Sequence, residues 1–192
     1  DLSTVRKHLR RFLQVQLPDQ RKVLFRFYDP RPLPPFLNSS SPEQVAAFFG
    51  PIDSILCPGD KEWTHYQRPQ TVAAPPRVLQ ITPEQLQKLD EHMEESFLIR
   101  MVKHLQSAFP AETAPIMSEL PNRTAKVIHE AKRYGIEYED EIQHYLELAM
   151  TFPSQMKNPK PNQVEKILTY PDRPAERKLR FLHAELAQSG TE

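Results

Sequence analysis

The stretch Val23-Leu24-Phe25-Arg26-Phe27-Tyr28-Asp29-Pro30-Arg31 is the densest run of aromatic and β-branched side chains in the chain. Phe25 and Phe27 stand at alternate positions, and a period of two predicts a β-strand with one buried face. Asp29 precedes a proline, which disfavours helical backbone at that residue, and Pro30 has no amide hydrogen to donate to a strand partner. We therefore predict a core strand that ends in a proline turn.

The composition indicates a protein with a real hydrophobic core. The chain has 192 residues, 39% of them hydrophobic, which suits one domain or two small ones. No apolar run approaches the roughly 20 residues of a membrane helix, and no segment resembles a signal peptide. The lone cysteine, Cys57, fits a reducing compartment. We expect a cytoplasmic protein without membrane insertion.

The charges are unevenly distributed although the net charge is zero. Residues 1–36 hold eight Lys or Arg against three Asp or Glu, a net charge of +5, and residues 82–150 hold seven against thirteen, a net charge of −6. A basic beginning and an acidic middle either attract each other or offer two surfaces to different partners. Zero net charge gives no support to a dedicated nucleic-acid binder.

A small α/β lobe is predicted for the beginning of the chain. Its expected elements are a helix, an antiparallel hairpin and a second helix, at residues 2–12, 12–17 with 23–28, and 42–49. Ser41 and Gln44 form a capping-box pattern with a proline at the first helical position, and Gly50-Pro51 ends the helix. An isolated hairpin is marginally stable, so we expect further strands, one of them at residues 78–81.

The remainder of the chain is predicted to be helical. Residues 51–77 have the character of a long irregular connection, and apolar periodicity then predicts five helices, at residues 82–109, 121–134, 137–152, 161–170 and 174–186. The predicted fold class is α+β and mostly helical, with an all-α second lobe. The predicted domains are residues 1–56, a connector at 57–81, and residues 82–192.

No pattern of catalytic or metal-binding residues emerges from the sequence. The seven histidines include no HExxH spacing, and His129, His144 and His183 lie on three different predicted helices. Cys57 and His65 are a conceivable nucleophile and base, but no third orienting residue accompanies them. We expect neither an enzyme nor a cofactor or metal.

Nucleic-acid binding is an alternative function. It would use the cations of the opening helix and of the hairpin together with aromatic rings that stack on bases. The residues concerned are Arg6, Lys7, Arg10, Arg11, Arg21, Lys22, Arg26 and Arg31, with Phe25, Phe27 and Tyr28. Burial of the aromatic rings and the acidic second lobe argue against it, and the opening helix is equally explained as a solvated face.

Three segments carry a resemblance to a known family. They are His8-Leu9-Arg10-Arg11-Phe12-Leu13-Gln14-Val15, then Val23 to Arg31, then Phe48-Phe49-Gly50-Pro51-Ile52. The chain resembles the adaptor, or effector-chaperone, family of bacterial type VI secretion systems. The resemblance implies a non-enzymatic protein that binds a secreted toxic effector and loads it onto the VgrG spike. Family members usually carry a further segment upstream, so we expect that segment or another protein to complete the sheet.

The resemblance also selects the candidate site residues, as structural or partner-binding positions. They are Arg10, Phe25, Arg26, Phe27, Tyr28, Asp29, Pro30, Arg31, Phe49, Gly50 and Pro51. For Asp29 we predict hydrogen bonds from backbone amides of the following turn, or a pair with Arg10 of the preceding helix. Either arrangement would hold the hairpin in place.

Overall fold

The computed structural model describes residues 1–59, 62–71, 73–76, 78–157 and 163–189. It is mostly helical, with small sheets in the N-terminal half and helices in the C-terminal part, which confirms the predicted fold class. The chain forms two compact units, Asp1–Ser96 and Phe97–Glu192. The domain limits expected at residues 56 and 81 stay predictions.

Among its described residues the first unit holds three α-helices, the beginning of a fourth, a 3-10 helix (Arg10–Phe12) and five strands. The helices are α1 (Leu2–Leu9), α2 (Leu33–Ser39), α3 (Pro42–Phe49) and the start of α4 (Pro83–Ala108). The strands are β1 (Gln14–Gln16), β2 (Lys22–Leu24), β3 (Ser54–Pro58), β4 (Trp63–Gln67) and β5 (Leu79–Gln80).

The first sheet has the order β2-β1-β5. Strands β1 and β2 form the predicted antiparallel hairpin, with Val15 opposite Val23, and β5 pairs with β1 in parallel. The strand predicted near residue 78 is therefore confirmed. The predicted continuation of the second strand to Tyr28 is wrong, because β2 ends at Leu24 and the chain then forms a turn.

A second hairpin occupies the region that the sequence indicated to be irregular. Strands β3 and β4 pair antiparallel from Ser54 opposite Gln67 to Pro58 opposite Trp63. The expectation of an irregular connection over 51–77 is therefore wrong. Along β3, Ile55 is half-buried and Cys57 is buried, whereas their neighbours are exposed. This period of two is typical of a strand, but the proline after Cys57 argued against a strand in the prediction.

The first unit has a core dominated by phenylalanine. Phe12, Phe36, Phe48 and Phe49 are each almost completely buried. The Phe48 ring meets Phe12 and Phe36 edge-to-face, with centroids 5.1 and 5.5 Å apart, an arrangement favoured by the quadrupoles of the rings. This aromatic cluster fixes the positions of α2 and α3 beside the first sheet.

The described residues of the second unit form α-helices and a 3-10 helix (Ala114–Ile116), joined by turns and irregular segments, and no strand. After α4 come α5 (Pro110–Thr113), α6 (Leu120–Arg133), α7 (Glu139–Thr151), α8 (Pro153–Lys157), α9 (Gln163–Leu168) and α10 (Ala175–Ser189). The five predicted helices correspond to the longer ones, and the short helices α5 and α8 were not predicted. Residues 161–162 of one predicted helix lie outside the described residues.

Helix ends follow the local chemistry that the sequence predicted. Ser41 and Gln44 form the expected reciprocal capping box at α3, and Thr82 and Gln85 form another at α4. Gly135, with φ of 74°, ends α6, and the amide of Ile136 donates to the carbonyl of Ala131 over 3.1 Å. This is a Schellman ending, which requires a residue that tolerates positive φ.

None of the described helices combines the length and the apolar character needed to cross a lipid bilayer.

Candidate functional site

The motif residues at 25–31 form a turn that presents two rings inward and one outward. The amide of Asp29 donates to the carbonyl of Arg26 over 2.9 Å, which closes the turn. Phe25 is buried and its ring lies 5.0 Å from that of Phe36. Phe27 is half-buried against Phe25, whereas Tyr28 is exposed. Phe25 and Phe27 therefore face the core at alternate positions, as predicted, although the backbone here forms a turn and not a strand.

Asp29 and Arg31 form an ion pair within this turn. The amide of Arg31 donates to Asp29 Oδ1 over 3.0 Å, Arg31 Nε to the same oxygen over 2.9 Å, and Arg31 Nη2 to Asp29 Oδ2 over 2.6 Å. The Arg31 side-chain bonds are the main reason that the pKa of the Asp29 carboxyl lies below its ordinary value of 3.8. The carboxylate is thus bound by the following turn, and a link from Asp29 to the helix through Arg10 stays a prediction.

Phe49, Gly50 and Pro51 position the end of α3 against α1. Phe49 is fully buried and Pro51 is exposed. The Nε2 hydrogen of His8 donates to the carbonyl of Phe48 over 2.8 Å, because a carbonyl oxygen can only accept. Gly50 has φ of 50°, and a Cβ added there would overlap the His8 ring. Only glycine therefore satisfies both the backbone and the close approach.

The hairpin of β3 and β4 has one inner face and one outer face. Ile55 and Tyr66 pack against the aromatic core. On the outer face, Leu56 is 62% exposed and Trp63 is 66% exposed. Leu56 and Trp63 lie on the same face of the hairpin, and exposed apolar side chains grouped in this way anchor many protein interfaces.

A cavity of about 270 Å³ joins the motif turn to this hairpin. The thiol of Cys57 donates to the carbonyl of Pro30 over 3.7 Å. The lining is apolar and comes from α1, the turn, α2, α3 and β3. It consists of Leu9, Phe27, Tyr28, Pro30, Leu33, Phe48, Ile52, Ile55, Leu56, Cys57 and Pro58. Tyr28 and Leu56 are exposed residues of this lining, and the exposed Trp63 lies opposite the lining residue Pro58 in the hairpin. We call Tyr28, Leu56 and Trp63 the apolar surface of the first unit.

Cys57 and His65 do not form the conceivable nucleophile and base. Leu56 lies opposite His65 in the hairpin and Cys57 lies opposite Thr64, so the cysteine and the histidine point to opposite faces. Burial raises the pKa of the Cys57 thiol, which lowers its nucleophilicity at neutral pH. Within the described ranges, no three His, Cys, Asp or Glu side chains are grouped so as to hold a metal ion.

Three cations of the opening helix line a depression that includes no residue of the motif turn. Ser3, Arg6, Lys7 and Arg10 line one shallow depression on α1. The nucleic-acid alternative needs stacking rings as well, but Phe25 is buried in the core and Phe27 is half-buried. Of the three proposed rings only Tyr28 remains accessible, so the structure does not favour this alternative.

The second unit contains an apolar cavity of about 470 Å³. Its floor is made by buried side chains such as Leu105 and Leu146, and Met150 and Met156 line its accessible part. Methionine side chains adapt to irregular apolar partners. The charged rim includes Glu130, whose carboxylate accepts a hydrogen bond from the Tyr145 hydroxyl over 3.2 Å.

Sequence reasoning missed the outer face of the β3–β4 hairpin. The available signal was the short apolar run Ile55-Leu56-Cys57 and the β-forming run Trp63-Thr64-His65-Tyr66. It also treated His144 and His183 as unrelated, although their ring centroids lie 6.2 Å apart in the second unit.

Comparison with known proteins gives one match. The model of the family described as "Domain of unknown function (DUF4123)" matches residues 1–47 of the 192. The matched residues include α1, the first hairpin, the motif turn and most of α3. No curated protein and no solved structure matches the chain.

Proposed function

We propose that this protein is an adaptor that binds a secreted toxic effector of a bacterial type VI secretion system and helps to load it onto the VgrG spike. The observation that carries the proposal is that the segment matched by the DUF4123 model contributes Phe27, Tyr28 and Pro30 to the cavity beside the exposed hairpin. Two of the three stretches that carry the resemblance to the adaptor family, residues 8–15 and 23–31, lie in that segment.

An adaptor needs a shaped surface and no reactive group. The apolar surface of the first unit offers Trp63 and Leu56 as exposed anchors, and covering them removes apolar area from water at about 25 cal/mol per Å². The hairpin that carries these anchors packs on the aromatic core through Ile55 and Tyr66. Its backbone is therefore positioned before a partner arrives, and less conformational entropy is lost on binding.

Two partners require two surfaces. In our proposal the apolar surface of the first unit takes either the effector or the spike, and a face of the helical second unit takes the other. The protein acts in the bacterial cytoplasm, without catalysis and without a cofactor.

The test is co-expression of the full chain with the toxin and the spike protein encoded by neighbouring genes. Complexes are isolated by size exclusion, and affinities are measured by calorimetry. Leu56→Asp places a charge in the apolar surface and should weaken binding of one partner at least about tenfold. Leu24→Asp is the matched control, since Leu24 is also a strand leucine of the first unit and is 57% exposed.

Three results would overturn the proposal. The first is a wild-type chain that binds neither protein, and the second is an equal loss of affinity in the two leucine variants. The third is tight, steeply salt-dependent binding of an oligonucleotide, which would instead favour the nucleic-acid alternative.

A further inference from the structure

The second unit carries an arginine held between two exposed aromatic rings. The guanidinium carbon of Arg173 lies 4.3 Å from the ring centroid of Tyr170 and 4.4 Å from that of Phe181. Tyr170 precedes α10 and Phe181 lies within it. Asp172, with φ of 59°, turns the chain between the two, so the backbone brings Arg173 over both rings.

An aromatic ring attracts the charge of a guanidinium through its quadrupole and does not need the N–H donors of the group. The five N–H donors of an arginine lie in the plane of the group. Arg173 makes no hydrogen bond and no ion pair with any residue that the structure describes. The donors of a half-buried, positioned guanidinium are therefore free to bind an acceptor from outside.

The same unit shows what such an arrangement accepts. The guanidinium of Arg100 lies 5.6 Å from the centroid of the Phe97 ring, and its Nη2 donates to the carboxylate of Glu139 over 2.7 Å. At this place in the second unit, an arginine that contacts an aromatic ring also donates a hydrogen bond to a carboxylate. At Arg173 the rings are present and the described residues supply no carboxylate.

We infer that Arg173, with Tyr170 and Phe181, is a recognition site for an Asp or Glu side chain on the surface of a partner protein. This inference concerns the second unit and stands whether or not the partner is a secretion effector. Tyr170 is 54% exposed and Phe181 is 53% exposed, so the rings form an apolar border that a partner covers as the carboxylate binds. Arginine flanked by aromatic residues is the composition of interface hot spots.

The local charge favours an anion. Residues 170–181 hold Asp172 and Glu176 against Arg173, Arg177, Lys178 and Arg180, a net charge of +2. Asp172 and Glu176 are the charged residues nearest to Arg173 in sequence, and they repel a dianionic phosphate more than a single carboxylate, which still gains a bidentate pair with arginine.

The test uses a capped glutamate amino acid as the probe and the capped glutamine as its neutral control. In the full chain labelled with nitrogen-15, the Nε–H signal of Arg173, assigned with Arg173→Lys, is followed during titration. The glutamate probe should shift this signal saturably, and more than the Nε–H signals of Arg177 and Arg180, which are exposed on the same helix. Tyr170→Leu should weaken the binding several-fold although it keeps the arginine.

A structural role alone predicts a different pattern. If Arg173 merely ties the turn to α10, Arg173→Lys lowers the thermal midpoint and the probe moves all arginine signals equally. That result, or an equal response to the glutamine probe, would overturn the inference. Tighter saturable binding of inorganic phosphate than of the glutamate probe would also overturn the choice of a carboxylate. Arg180→Lys serves as the matched variant and should leave both the probe response and the thermal midpoint unchanged.

Discussion

Replacing Asp29 by alanine should destabilise the first unit by about 1–2 kcal/mol. The carboxylate accepts one backbone and three side-chain hydrogen bonds from Arg31. Hydrogen bonds to charged groups contribute about 1.5–3 kcal/mol where they are buried. The Asp29 side chain is 18% exposed but that of Arg31 is 40% exposed, so screening by solvent reduces the contribution of the pair.

The assay is urea unfolding followed by circular dichroism. With a slope of about 2 kcal/mol per molar urea, the expected loss shifts the midpoint by roughly 0.5–1 M. The chain contains its own control, because Asp19 accepts bonds from the amide and Nε of Arg21 at the same spacing. That pair is exposed at 50% and 74%, so Asp19→Ala should leave the midpoint nearly unchanged.

The pH dependence of stability gives a second test of the same residue, with Asp29→Asn as the variant. The pKa of Asp29 is lowered in the folded state from 3.8, so its contribution is fully present above that value and is lost as the pH falls through the folded pKa. The stability difference between wild type and Asp29→Asn should be constant at neutral pH and should narrow only below about pH 4.

Two results would refute this reasoning. Equal midpoint losses for Asp19→Ala and Asp29→Ala would show that burial of the pair is irrelevant. An Asp29→Ala variant of normal stability that has lost only partner binding would show that the carboxylate contacts the partner directly.

Two further predictions concern Gly50, with Gly135 for comparison, and Cys57. Gly50→Ala should cost more than about 2 kcal/mol, because it combines positive φ with a Cβ that overlaps the His8 ring. Gly135→Ala has positive φ but open space and should cost only about 1 kcal/mol in the same urea assay; equal costs would contradict the steric argument. Cys57, 3% exposed, should react with a thiol reagent far more slowly in the folded chain than in urea, and equally fast labelling would contradict its burial.

The parts of the fold that the sequence predicted correctly are those encoded by local chemistry. Only a few adjacent residues determine the helix caps at Ser41 and Thr82 and the left-handed backbone at Gly135. These helix ends can therefore be predicted from the sequence alone. The helices follow from the apolar period for the same reason. The short helices α5 and α8 have too few residues to display a period.

The errors arose where tertiary contacts override a local pattern. At Phe25 and Phe27 the alternation of burial is real, but the rings are oriented by the aromatic cluster and by the Arg26–Asp29 turn, so the same alternation occurs without a strand. Strand β3 was missed because a proline ends it, although Pro58 pairs with Trp63 at the last position of the ladder.

Only part of the candidate site could be predicted from the sequence, because the sequence does not show which of its side chains face the core and which face solvent. Most resemblance-bearing residues, such as Phe25, Phe49 and Gly50, face inward or shape the backbone. Which neighbouring residues face outward depends on the register of a hairpin that long-range packing sets.

The division between inward and outward residues leads to an ordering of variant effects. Asp29→Ala and Gly50→Ala should lower stability and partner binding together. Both changes disturb the packing of the first unit on which the apolar surface rests. Changes to the outward residue Leu56 should lower binding at unchanged stability, because no core contact is lost. In an enzyme, by contrast, the variants that lose activity would be those of buried titratable groups, and a change at an exposed residue such as Leu56 would have little effect. Measuring both quantities across these variants therefore separates an adaptor from an enzyme without knowledge of the partner's chemistry.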